Sequence, residues 1–333
     1  MSKKVAIAAL AAVVLGIVIG YAIRYPFFER GGSKNDLPAE TPPPAKPAYA
    51  VVIENAPVVQ DPEREARPQL GLGKAEVVIE TLAEGGITRY LAIFQNEQAP
   101  KIGPVRSLRP YFLEWAMGFG TPIAFSGGST EALSLLEAQG AGARALNEFF
   151  NEDTFYRDKS RAAPHNLFTS SALLGDAVAA KGWGTLQFVR GWDVKPRGAV
   201  PAEPVIREIF VDFSFGLFEA DYRYDEQTNS YLRSLGGKAH LDEAGTQLAV
   251  DNVVIIRTTS RLLDQKLLTL DIETFGSGQA TIFRDGQVIQ ARWRKNALGE
   301  PLRLIDADGT TVVLNEGKTW IAVVDQDGNV SWK

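Results

Sequence analysis

The chain has 333 residues, 45% hydrophobic and 10% aromatic, enough to build the cores of about two ordinary domains. A net charge of −5 excludes a general nucleic-acid binder, which needs a broad basic surface. The absence of cysteine removes disulfides, thiolate catalysis, cysteine-ligated metal and a lipidated anchor cysteine together.

Residues 1–4 read as a short cytoplasmic tail, in which Lys3 and Lys4 precede an uncharged run from Val5 to Ile23. As a helix that run is roughly 28 Å long, close to the ~30 Å hydrocarbon core of a bilayer. A cleaved signal peptide is the rival reading. No small-x-small site stands out after Ile23, so residues 5–23 are expected to be an uncut transmembrane signal anchor. The protein is then a single-pass cell-membrane protein with its bulk extracytoplasmic. Residues 24–48 form a linker, and Thr41-Pro42-Pro43-Pro44-Ala45-Lys46-Pro47 within it suits a polyproline spacer.

From residue 49 to 195 strand and helix signals alternate, which predicts an α/β layered domain. Ala50–Ile53 opens it as a strand, and a short apolar element follows from Ala75 to Leu82. The stretch Arg89–Phe94 reads as a strand buried on both faces, with Arg89, Leu91 and Ile93 on one side and Tyr90, Ala92 and Phe94 on the other. Pro110 suits the first turn of a helix ending near Gly118. A strand over 121–125 leads into Ser126-Gly127-Gly128-Ser129, and Ser129 can cap a helix that stops at Gly140. Another helix is expected over about 171–181, before Gly182.

Between residues 200 and 333 the texture changes to β-branched runs separated by turn signals such as Gly236-Gly237, Asp285-Gly286 and Asp308-Gly309. The fold class is therefore an α/β N-terminal domain, a mainly antiparallel β C-terminal domain and an N-terminal membrane helix.

The chemistry-bearing residues gather around the central strand. Arg89, Arg106 and Arg109, with Ser107 and the start of a helix, could converge on a phosphate or carboxylate. The bland alternative pairs these arginines with Glu76, Glu80 and Glu84. Ser126–Ser129 sits where a phosphate cradle would sit, although such glycines often serve only the turn. His165 could act as a general acid or base, or simply tie down its loop, and Asn166 could orient a ligand. The expected anion-binding set is Arg89, Arg106, Ser107, Arg109, Ser129, His165 and Asn166. No metal set, cofactor motif or nucleophile elbow is present, so no catalytic residue is assigned. Tyr222, Tyr224, Trp293 and Trp320 are either a carbohydrate-stacking face or sheet core.

Four blocks in order, Pro68–Leu72, Glu84–Arg89, Gly103–Pro110 and Ala163–Leu167, resemble the N-terminal domain of the YerB-like bacterial cell-envelope proteins. Tyr222–Asp225, Tyr231–Arg233, Gly276–Ala280, Trp293–Lys295 and Gly317–Ile321 resemble the C-terminal domain of that family. The family is of unknown function, and many of its members are lipoproteins. A weaker likeness is to the LytR–CpsA–Psr phosphotransferases, with Gly103–Arg109 in the place of their proline-arginine block. Their aspartate after that arginine is replaced here by Ser107.

These readings lead to a membrane-anchored envelope protein that binds an anionic cell-wall or polyprenyl-linked ligand, with no nucleic-acid partner. Two alternatives stay open. One is a phosphotransferase acting on pyrophosphate-linked glycopolymers, and the other is a scaffold that binds a protein partner through its β domain.

Overall fold

A strand whose residues are apolar on both sides must lie inside a sheet covered on both faces. Thr88–Phe94 does so in the computed structural model, and all seven of its residues are buried. Tyr90, Ala92 and Phe94 enter one core while Leu91 and Ile93 enter the other. The structure describes residues 46–57, 65–184, 188–198, 206–242 and 245–333. The predicted tail and membrane helix, and all but the last three residues of the linker, lie outside the described residues. Among the described residues no helix is long and apolar enough to cross a membrane.

The central strand is part of a ten-stranded mixed sheet. Its order is Arg303–Ile305, Gln287–Lys295, Gly276–Arg284, Asn252–Thr258, Thr319–Asp325, Val77–Leu82, Thr88–Phe94, Tyr49–Glu54, Ile123–Phe125, Ala145–Asn147. Val77–Leu82 pairs in parallel with Thr319–Asp325, so one sheet takes strands from both halves of the chain. A second, antiparallel sheet carries Lys238–Ala239, Ser230–Leu235, Glu219–Asp225, Glu208–Asp212 and Val330–Trp332. An N-terminal α/β part and a mainly antiparallel β C-terminal part are thus both present.

One core contains Tyr90 and Trp320 of the large sheet together with Ile209, Tyr222 and Tyr231 of the small one. The other holds the opposite face of the large sheet against helix α1, Pro110–Gly118, which contributes Tyr111, Phe112, Trp115 and Ala116. Pro110 sits in the first turn of α1, where its missing N–H costs nothing. Helix α2, Thr130–Gln139, is capped by Ser129 Oγ, which accepts from the Ala132 N–H at 3.2 Å. Helix α3, Ser171–Ala180, is capped in the same way by Ser170. Tyr222, Tyr224, Trp293 and Trp320 are all buried, so they are sheet core and not an exposed stacking face.

Register decides what gathers at the edges. Tyr49–Glu54 runs antiparallel to the central strand with Glu54 opposite Arg89, and parallel to Ile123–Phe125. That strand in turn runs parallel to Ala145–Asn147. The carboxyl ends of three parallel strands therefore meet at one edge, which is where open α/β sheets hold ligands.

Candidate functional site

Each strand delivers a charged or polar residue to that edge as it leaves the sheet. Glu54 ends its strand almost fully buried, and a buried carboxylate needs partners. Arg106 Nε donates to Glu54 Oε2, and Arg89 Nη2 lies 3.9 Å from the same oxygen. On the other flank Arg109 Nε donates to Glu84 Oε1, and Arg89 Nη2 lies 3.4 Å from Glu84 Oε2. Arg89 Nη1 also donates to the Ser107 carbonyl at 3.2 Å. Burial alone would raise the Glu54 carboxyl, but the charges of Arg89 and Arg106 outweigh it and hold it below its usual value. Glu84 is lowered likewise: burial is opposed by the hydrogen bond from Arg109 and the charge of Arg89.

The three arginines do come together, then, around two carboxylates. The acidic partners are Glu54 and Glu84, whereas Glu76 and Glu80 are engaged elsewhere. Glu76 accepts the backbone N–H groups of Gln95 and Asn96 at 2.9 and 2.6 Å. Arg106 is the most exposed member of the cluster, its side chain retaining 27% accessibility against 6% for Arg89 and 14% for Arg109.

His165, 9% exposed, is an electrostatic neighbour of the Glu54 carboxyl. Asn166 Oδ1 accepts from Arg157 Nη1 at 3.2 Å, and Arg157 Nη2 donates to Glu148 Oε1 at 2.6 Å. Glu148 also accepts from Ser126 Oγ, which joins the second and third strand ends. In the Ser126–Ser129 loop, the N–H of Ser126 goes to the Arg106 carbonyl and that of Gly127 to Asn147 Oδ1. The Ser129 N–H goes to the Leu108 carbonyl. These donors therefore serve the turn and do not form an open phosphate cradle. Ser129 Oγ is occupied as the cap of α2.

Comparison with known proteins matches residues 37–184 to the N-terminal domain, and 211–321 to the C-terminal domain, of a family described as proteins of unknown function, DUF3048. The Bacillus subtilis (strain 168) protein named "Putative lipoprotein YerB" is 34% identical over 279 residues, covering 83% of this chain and 80% of that one. The chain belongs to the YerB-like family. The crystal structure of YerB from Bacillus subtilis superposes with a TM-score of 0.72 at 32% identity, over 86% of this chain and 94% of that chain.

Behind the arginine cluster, this YerB-like protein buries a closed ring of six polar side chains. Glu80 Oε1 accepts from Thr88 Oγ1 at 2.9 Å, and Thr88 Oγ1 accepts from Asn55 Nδ2 at 2.6 Å. Asn55 Oδ1 accepts from Gln69 Nε2 at 2.7 Å, and Gln69 Oε1 lies 2.9 Å from His240 Nε2. His240 Nδ1 meets Arg233 Nη1, and Arg233 Nη2 returns to Glu80 Oε2 at 2.7 Å. Arginine only donates, so His240 Nδ1 must accept and Nε2 must carry the proton given to Gln69. Burial first, and then the charges of Arg233 and Arg67, hold this histidine well below its ordinary value. Asn55 belongs to the ring and its neighbour Glu54 to the arginine cluster, so the two networks share one piece of backbone.

Sequence reasoning did not find Glu54, Glu148 or the ring. A signal was present: Glu80 interrupts the otherwise apolar run Val77-Val78-Ile79, and a charge within a buried strand requires a partner. Which partner depends on contacts across 153 positions. Among the described residues no group of His, Asp and Glu is arranged to hold a metal ion.

Proposed function

We propose that this protein is a non-enzymatic, extracytoplasmic envelope protein that binds an anionic cell-wall or lipid-linked ligand at the Arg106 edge. One observation carries the reading. Three guanidinium groups share two carboxylates at the carboxyl ends of the parallel strands, so the cluster keeps an excess positive charge. Arg106 is its accessible member, and His165 lies near the Glu54 carboxyl that Arg106 pairs with. A ligand carrying phosphate or carboxylate would complete the charge balance through a charged hydrogen bond. The lipoprotein name of the Bacillus relative supports an envelope location.

The phosphotransferase alternative draws no such support. The position of the aspartate that those enzymes require is Ser107 here.

Equilibrium binding of inorganic pyrophosphate and of a phosphate-bearing wall glycopolymer to the full chain in detergent tests the proposal. Arg106→Ala is expected to weaken binding by about 1.5–3 kcal/mol while the fold is kept. Equal binding by the variant, or none by either protein, removes the site.

A further inference from the structure

Next to the arginine cluster, but outside it, the segment after the strand Ala145–Asn147 forms two short helical turns, Glu148–Phe150 and Glu152–Thr154. These turns leave large apolar rings in solvent, where burial would normally be favoured. Phe149 is 63% and Phe150 84% exposed. The Phe149 ring lies over Gly127, where an added Cβ would stand 3.1 Å from its Cε2. Together with Glu148, Glu152, Phe155, Tyr156, Arg157 and Leu167 it lines a cavity of about 220 Å³. Exposed apolar groups clustered in this way mark a binding surface.

The lining selects the chemistry of the occupant. It offers three aromatic rings and two carboxylates against one guanidinium. That guanidinium already donates to Glu148 and Asn166, so its charge is largely compensated. Glu152 is exposed and, among the described residues, no second cation lines the cavity, which leaves the lining net negative. A lining that is rich in π systems and acceptors and poor in donors favours a ligand that brings a cation and its own N–H groups. Aromatic rings around a carboxylate are the arrangement that holds ammonium groups through cation–π attraction. A sugar ring would fit less well, since its hydroxyls need donors as well as acceptors.

We infer that this cavity binds a primary or quaternary ammonium group, with Phe149, Phe155 and Tyr156 around the cation and Glu152 as its counter-charge. The site is distinct from the proposed anion site. A ligand spanning both would present an amine at one end and an acidic group at the other.

The test uses the full chain in detergent and saturation-transfer NMR with n-butylammonium and tetramethylammonium chloride. Shape-matched n-pentanol and tert-butanol serve as neutral controls. Both cations are expected to bind and both alcohols to fail. Glu152→Gln and Phe149→Leu should each weaken cation binding at least fivefold, the leucine keeping apolar bulk while removing the π system. Phe149 is largely exposed, so neither variant should shift the thermal midpoint appreciably. The inference is overturned if the alcohols bind as well as the cations, if Phe149→Leu binds like the parent, or if cellobiose binds where the cations do not.

Discussion

Arg233 Nη2 lies 2.7 Å from Glu80 Oε2 with both side chains fully buried, which joins the small antiparallel sheet to the centre of the large one. The guanidinium also sits 4.3 Å from the ring centroid of Trp320, whose indole N–H donates to the same carboxylate oxygen at 3.0 Å. Removing one partner leaves the other charge buried without compensation. Arg233→Met or Glu80→Leu alone is therefore expected to cost about 3–5 kcal/mol in urea denaturation. The double variant should cost clearly less than the sum of the two. Additive losses, or single losses under about 1 kcal/mol, would show that the pair does not hold the sheets together.

His240 gives stability a dependence on pH. The folded protein keeps it neutral, whereas the unfolded chain takes up a proton near 6.5. Its contribution is therefore full above pH 6.5 and is lost as pH falls toward the lower folded-state value, by up to about 1.4 kcal/mol per pH unit. Glu54 and Glu84 act in a lower window. Their folded values lie below the usual 4.5, so their stabilisation is complete above that pH and disappears as pH falls through the folded values. Gln in place of His240 can still accept from Arg233 and donate to Gln69. Denaturation of His240→Gln should lose the slope that begins near 6.5 and keep the slope below 4.5. An unchanged upper slope would assign it to another group.

Within the arginine cluster the buried carboxylate is expected to matter more to folding than the accessible cation. Glu54→Gln leaves Arg89, which is 5% exposed, without its partner on that side and should cost about 3 kcal/mol or more. Arg106→Ala removes a charged hydrogen bond from Glu54 but leaves Arg89 beside it, and should cost about 1.5–2 kcal/mol. Chemical denaturation of the two variants side by side checks the order, and the reverse order contradicts it.

Gly191 marks where the chain crosses from the α/β part toward the β part, in a parallel bridge with Arg303. A Cβ at this position would stand 1.8 Å from the Leu302 carbonyl oxygen. Backbone cannot rotate aside as a side chain does, so Gly191→Ala is expected to destabilise by about 3 kcal/mol or more. Gly299→Ala, where nothing lies within 4 Å, should stay within about 0.5 kcal/mol. Thermal midpoints of the pair decide it.

Elements whose causes lie within a turn or two of chain were legible. The period-two alternation of Thr88–Phe94 correctly separated the residues of the two cores. Pro110 correctly placed the start of α1, Ser129 that of α2, and Gly140 its end. The convergence of Arg89, Arg106 and Arg109 was also legible, because all three flank one strand and the turn that follows it. Their acidic partners were only half legible. Glu84 is close in sequence, whereas Glu54 reaches Arg89 through the antiparallel register of two strands.

By itself, then, the sequence determined the alternation of apolar residues, the capping and turn positions, the absence of thiol chemistry and the family. These depend on residue type and near neighbours. Only the tertiary structure decided that strands from both halves share one sheet and that Glu80 meets Arg233. The same is true of the link from Ser126 through Glu148 to Arg157 and of the cavity that Phe149 lines. Each of these is set by strand register and crossover, where a shift of a single residue would turn the same side chain to the opposite face of the sheet.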